Sequence, residues 1–150
     1  YSRVNLTRLL EQLTYEFKPM LLEKNLKCEL EITSNVMLKC DVNKMQRVFD
    51  NLLRNAVNYS FDDGTIHIVA TQNENNLSIK FTNCGNTIPQ EKLERIFEQF
   101  YRLDTARSSR SGGAGLGLAI AKEIVELHNG TITAKSENEV IEFEVTIPLS

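Results

Sequence analysis

Apolar residues at Leu6, Leu9, Leu10, Leu13 and Phe17 recur at three- and four-residue spacing and predict a helix from about Leu6 to Lys24. Asn5 or Thr7 suits its start, and Pro19 should kink it. "KCELEI" alternates as a strand, and "VMLKC" follows as a second after the turn "TSN". A further helix should begin after Asp41, a suitable N-cap, with Met45, Val48, Phe49, Leu52, Leu53 and Ala56 in one broad apolar stripe. The β-rich runs "TIHIVATQ" and "NLSIKFTN", joined by the polar turn "NENN", predict a hairpin. "IPQEKLERIFEQF" reads as a short helix, with Pro89 near its start and Leu93, Ile96, Phe97 and Phe100 on one face. Residues 101–113 lack apolar periodicity and are rich in Ser, Arg and Gly, and loops this long are usually functional or mobile. "LGLAIAKEIVELHNG" is a helix closed by Asn129-Gly130, and "GTITAKS" with "IEFEVTIPL" makes a last hairpin.

Hairpins dominate this order, so the expected fold class is α+β. It would be a two-layer α/β sandwich with a mixed, mainly antiparallel sheet of about five or six strands and three main helices on one face. A doubly wound Rossmann fold would alternate strand and helix instead.

Composition narrows the functional classes. The 150 residues are 41% hydrophobic and 25% charged, as expected of one globular domain covering residues 1–150. A net charge of −3 argues against a nucleic-acid partner or direct contact with an anionic membrane. No apolar run approaches the ~20 residues of a membrane span. Cys28, Cys40 and Cys84 lack C-x-x-C spacing, so free thiols in a reducing cytosol are expected and a zinc site is not. The opening "YSRVNLTRLL" suggests a piece of a longer protein.

Two stretches conflict with plain core-building. Asn51, Asn55, Asn58 and Tyr59 cluster on the flank of the central helix's apolar stripe. Asn is a poor helix former because its side chain competes for the backbone, so this row of amides either decorates a surface or lines a polar ligand. Amide oxygens are hard neutral ligands that Mg²⁺ accepts when phosphates supply the charge. The second stretch, "RSSRSGGAGLGLAIAKEI", places Gly112, Gly113, Gly115 and Gly117 at a helix start. Glycine there lets backbone N–H groups approach an anion, and Arg107 and Arg110 can add charge-assisted contacts. A Walker loop needs G-K-[ST], which is absent, and a flexible hinge is the plainer alternative.

In order and spacing, these stretches resemble the catalytic ATP-binding domain of sensor histidine kinases, on the fold shared with gyrase, the Hsp90 chaperone and MutL. "NLLRNAVNYS" is similar to the N box, "NCGNTIP" to a modified first glycine box, "IFEQFYR" to the F box and "GGAGLGL" to the second glycine box. The likeness covers essentially the whole chain, and "FYRLDTARSSRSGGAGLGLAIAKEI" looks most like the vancomycin-resistance sensor kinases. It implies that Asn55 coordinates Mg²⁺ while Asn51 supports the phosphates and Asn58 keeps at most a weak phosphate contact. Tyr59, Asn83, Gly85 and Ile88 would surround the adenine. Gly113, Ala114, Gly115, Leu116, Gly117 and Leu118 would form the phosphate-binding turn. Phe97 and Phe100 would anchor a mobile ATP lid, from which Arg102, Arg107 or Arg110 reaches the γ-phosphate. The phenylalanines are as well explained as core.

The resemblance also implies a partner set. The phosphoacceptor histidine would lie in a separate helical dimerisation domain of the same protein, and a response regulator would follow. The fragment itself would be monomeric, within a full-length homodimer. It would form a cytoplasmic domain of a membrane-anchored sensor, with a place in antibiotic resistance. His67 and His128 lack the phosphoacceptor context. Two departures stand out. Asn83 replaces the Asp that accepts the adenine amino proton, and Thr87 replaces the second glycine of that box. Weaker ATP binding, by ~1 kcal/mol, is the expected consequence. Alternatives are a degenerate nucleotide-sensing or protein-binding module, or an ATPase or anti-sigma-type serine kinase on the same fold. Against hydrolysis, position 51 is an amide and cannot act as a general base.

Overall fold

In chain order the elements are β1 (Ser2–Asn5), α1 (Leu6–Glu16), α2 (Lys18–Glu23), β2 (Lys27–Ile32), β3 (Met37–Cys40), α3 (Val42–Tyr59), β4 (Thr65–Gln72), β5 (Asn76–Cys84), α4 (Gln90–Leu93), α5 (Gly117–Leu127), β6 (Thr131–Glu137) and β7 (Val140–Pro148). They come from a computed structural model that describes residues 1–32, 36–101 and 117–149. The turn at 33–35 lies outside the described residues.

Period-two burial assembles the main sheet. Ile66, Ile68 and Ala70 of β4, Leu77, Ile79 and Phe81 of β5, and Ile141, Phe143, Val145 and Ile147 of β7 all point to one side and are buried. The sheet order is β2-β4-β5-β7-β6, with β2 parallel to β4 and every other pair antiparallel. The stripes of α1, α3 and α5 cover the apolar face, through Leu6, Leu10 and Leu13, then Met45, Phe49, Leu52 and Leu53, then Ala121, Ile124 and Val125. Phe49 stacks on Phe81 with ring centroids 6.2 Å apart. Burying a side chain of this size contributes about 1.5–3 kcal/mol, so this layer holds the fold. The outer face is more polar, with Ser78 Oγ donating to Glu144 Oε2 at 2.6 Å.

The fold class stands as expected, and several details differ. The first helix divides at Phe17, because Pro19 has no N–H to continue the ladder. β1 is an element that periodicity does not reveal in four residues, and β3 pairs with it instead of joining β2 in the main sheet. The expected helix over 88–100 is an α-helix only at Gln90–Leu93. Beyond it the backbone tightens to three-residue bonds, with Arg95 N donating to Lys92 O and Ile96 N to Leu93 O. At three residues per turn Leu93 and Ile96 line up and stay buried, but Phe100 does not share their face. It is 66% exposed and takes a left-handed φ of 66°.

Both helix ends that frame the site close as the sequence indicates. The Asp41 side chain accepts from Lys44 N at 3.2 Å, capping α3. At the end of α5, Asn129 N donates to Glu126 O and Gly130 N to Val125 O, a Schellman closure. The left-handed residue is Asn129, at φ 62°, and Gly130 is needed because a Cβ there would lie 2.4 Å from Thr146 O.

Candidate functional site

The buried stripe of α3 sets which side chains reach its rim. With Leu52, Leu53, Ala56 and Val57 facing the sheet, Asn51, Asn55, Asn58 and Tyr59 fall half-buried along one flank. Asn51 Nδ2 donates to Gly117 O at 3.0 Å, joining this flank to the first turn of α5. A Cβ on Gly117 would meet Asn51 Cγ at 3.6 Å, an ordinary contact, so packing does not demand glycine there. Leu118, in the same turn, packs against the core.

The far end of α3 is held from three sides. Lys24 Nζ donates to Val57 O at 2.8 Å and to Asn58 O at 3.3 Å, a cation placed on the negative end of the helix. Ser60 Oγ donates to Ala56 O at 2.6 Å. Phe61 N donates to Cys84 O at 2.9 Å, and a Cβ on Gly85 would stand only 2.0 Å from Tyr59 O. Glycine at 85 is therefore required by the approach of the two backbones, and that approach sets Tyr59 beside residues 83–85.

Asn83 extends the inward row Leu77, Ile79 and Phe81, and it is the polar member of that row. It is 3% exposed, and its Nδ2 has no hydrogen-bond partner among the described residues. An unmet buried donor costs about 1–3 kcal/mol, which makes this amide at the end of a core strand a candidate contact for a bound group. The segment after it is lashed to the β6–β7 hairpin. Gly85 N donates to Glu139 O at 3.0 Å, Glu139 N to Thr87 Oγ1 at 2.8 Å, and Ile88 N to Ser136 Oγ at 2.8 Å. Ile88 is itself buried.

Of the expected site residues, the structure thus gathers Asn51, Asn55, Asn58, Tyr59, Asn83, Gly85, Gly117 and Leu118 around the α3 flank and its two ends. Phe97 meets Phe143 edge-on at 6.0 Å with Lys122 Nζ 5.9 Å above its ring, whereas exposed Phe100 has no place in that packing. Arg102, Arg107, Arg110, Gly112, Gly113, Ala114, Gly115 and Leu116 lie outside the described residues. Sequence reasoning missed Lys24, Thr87 as a hydrogen-bond acceptor, and Ser136. Their partners stand 33, 52 and 48 residues away in sequence, beyond any local signal.

The titratable residues add little chemistry. His128 is buried, with Nε2 accepting from Asp41 N at 3.1 Å and Nδ1 2.9 Å from Ile124 O. That pairing makes it a structural clamp between the start of α3 and the end of α5. His67 is exposed beside Glu29 at 3.7 Å, and Asp50 pairs with Arg54 at 3.2 Å on the outer side of α3. No cluster of three His, Cys, Asp or Glu able to hold a metal occurs among the described residues. A cation at this site would have to be held by neutral amide oxygens together with the charge of the ligand itself, and the half-buried Asn55 fits that donor type.

Residues 40–150 match the family of histidine kinase-, DNA gyrase B- and HSP90-like ATPases. The chain belongs to this family. It is 46% identical over 144 residues to the sensor protein VanSC of Enterococcus gallinarum, covering 96% of this chain and 40% of that protein. It is 44% identical over 147 residues to the sensor protein VanS of Enterococcus faecium, covering 98% and 38%. The chain therefore spans about two fifths of the length of these curated relatives. Among solved structures, the nucleotide-free catalytic domain of histidine kinase ThkA superposes with a TM-score of 0.88 at 26% identity, covering 99% of this chain and 95% of that one. Among the described residues no helix is long and apolar enough to cross a membrane.

Proposed function

We propose that this chain binds Mg·ATP along the amide flank of α3 and donates the γ-phosphoryl group to a histidine on a separate helical domain of the same sensor kinase. The observation that carries this reading is the Asn51–Gly117 bond. It joins the amide-bearing flank of α3 to the first turn of α5, and the start of a helix offers N–H groups suited to phosphate. Asn83 and Tyr59 would take the base, and Gly85 would keep the backbone close beside them. Asn58 would keep at most a weak contact to the phosphates. Gly113, Ala114, Gly115, Leu116, Gly117 and Leu118 would carry the phosphate turn, with Arg102, Arg107 and Arg110 on the γ-phosphate side. Asn55 would hold Mg²⁺, whose charge neutralises the phosphate oxygens when bound.

Phosphoryl transfer of this kind rests on positioning and charge stabilisation, and needs little covalent chemistry from the protein. Asn51 fits transfer better than hydrolysis, because an amide cannot activate water and its Nδ2 is committed to Gly117 O. The acceptor histidine, the response regulator that follows, the dimerisation helices and a membrane anchor would belong to the remainder of a longer protein. This domain would then work on the cytoplasmic side, in a sensor of the antibiotic-resistance type.

Calorimetric titration of ATP, with and without Mg²⁺, into wild type and Asn55→Ala tests the site. Magnesium-dependent binding that falls at least tenfold in the variant is the expected result. Phosphate transfer to a supplied helical phosphoacceptor domain then separates a kinase from a nucleotide-sensing module. Steady ATP turnover by the isolated chain would favour an ATPase instead.

A further inference from the structure

Asn83 holds a buried donor that no described residue satisfies, at the position that the proposed nucleotide site gives to the base. A carboxylate at such a position only accepts hydrogen bonds, so it selects a base that presents an amino group. A primary amide both donates and accepts. Rotating the terminal amide by about half a turn exchanges the two functions without moving the strand. In one orientation Oδ1 accepts from a 6-amino group while Nδ2 donates to a ring nitrogen. In the other, Nδ2 donates to a 6-oxo group while Oδ1 accepts from the protonated ring nitrogen beside it. Both pairings use the orphaned N–H.

From this we infer that the nucleotide site accepts 6-oxopurine nucleoside triphosphates as well as adenosine triphosphate, with Asn83 as the residue that sets this breadth. The inference rests on the nucleotide-binding reading and narrows it to the base.

The surroundings keep the amide in place. Asn83 sits in register with Ile141 on β7, follows buried Phe81, and precedes the close contact of Gly85 with Tyr59 O. The backbone on its far side is fixed to the β6–β7 hairpin through Thr87 and Ile88. With the strand end held and only the terminal amide able to turn, the two orientations differ in which base they meet and in little else. Inosine triphosphate is the suitable probe, because it carries the 6-oxo group without the additional 2-amino group of guanine.

The test is competitive titration of the chain with ATP, inosine triphosphate and the triphosphate of unsubstituted purine riboside, each with Mg²⁺. The inference expects ATP and inosine triphosphate to bind within about tenfold of each other, both more tightly than the unsubstituted purine. It also expects Asn83→Asp to raise the ATP-to-inosine preference at least tenfold. ATP binding with inosine triphosphate no better than the unsubstituted purine overturns the inference and leaves the ATP reading standing. An unchanged preference in Asn83→Asp, with ATP still bound, removes Asn83 as its cause and overturns it too. If none of the three binds, the nucleotide reading falls and the inference falls with it. Should Asn83→Asp not fold, the wild-type comparison of the three bases decides alone.

Discussion

Two glycines look alike in the sequence and have opposite physical reasons. Gly85 is a packing requirement: any Cβ collides with Tyr59 O at 2.0 Å, and the neighbour is backbone that has nowhere to move. Gly85→Ala should lower stability by about 1–3 kcal/mol, read as a lower urea midpoint with the slope unchanged. Gly117 has room for a methyl group, and alanine in a helix is favoured over glycine by up to ~1 kcal/mol. Gly117→Ala should therefore fold at least as well as wild type while binding ATP several-fold more weakly. A variant that binds ATP normally would show that position 117 does not approach the phosphates. The asparagines on α3 could be read from spacing alone, since an amide row beside an apolar stripe contradicts helix propensity. That Asn83 is buried with an unmet donor was not readable, because a strand end may face either water or core.

At the scale of elements, the segment 85–88 and the β6–β7 hairpin behave as one unit. Thr87 replaces a glycine expected from the resemblance, and its hydroxyl accepts from Glu139 N in a turn where Asn138 and Glu139 both have left-handed φ, 52° and 61°. Thr87 thereby ties this loop to the β6–β7 hairpin. Thr87→Val keeps the shape and removes the acceptor, so it should cost about 1 kcal/mol in denaturant unfolding. Helix α4 shows the reverse case. Leu93, Ile96, Phe97 and Phe100 carry helical spacing, yet the chain leaves the α-helix after Leu93. Periodicity reports which residues can share a face, and three-residue turns satisfy part of the same pattern.

For the whole molecule, the thiols report how tightly the layers close. All three cysteines are unpaired, with Cys40 buried, Cys28 half-buried and Cys84 exposed. Burial, assisted by the neighbouring Glu29, pushes the Cys28 thiol from 9.0 up to about 11, and burial followed by Asp41 raises Cys40. A group that stays protonated longer when folded stabilises the fold below its unfolded pKa and loses that contribution as pH rises through its folded one. Stability should therefore decline between pH 9 and about 11, and Cys28→Ala should flatten that decline in pH-dependent thermal melts. The sequence by itself determined the two-layer class, most element positions, the α3 amide row and the glycine-rich helix start, since these follow from periodicity and residue chemistry within short windows. Only the tertiary structure decided that β3 leaves the main sheet for β1, that Lys24 closes α3, that Thr87 and Ser136 hold the 85–88 segment, and that Asn83 is buried beside β7. Each of those depends on partners dozens of residues apart, brought together by burial of the shared core, and no local pattern encodes such a meeting.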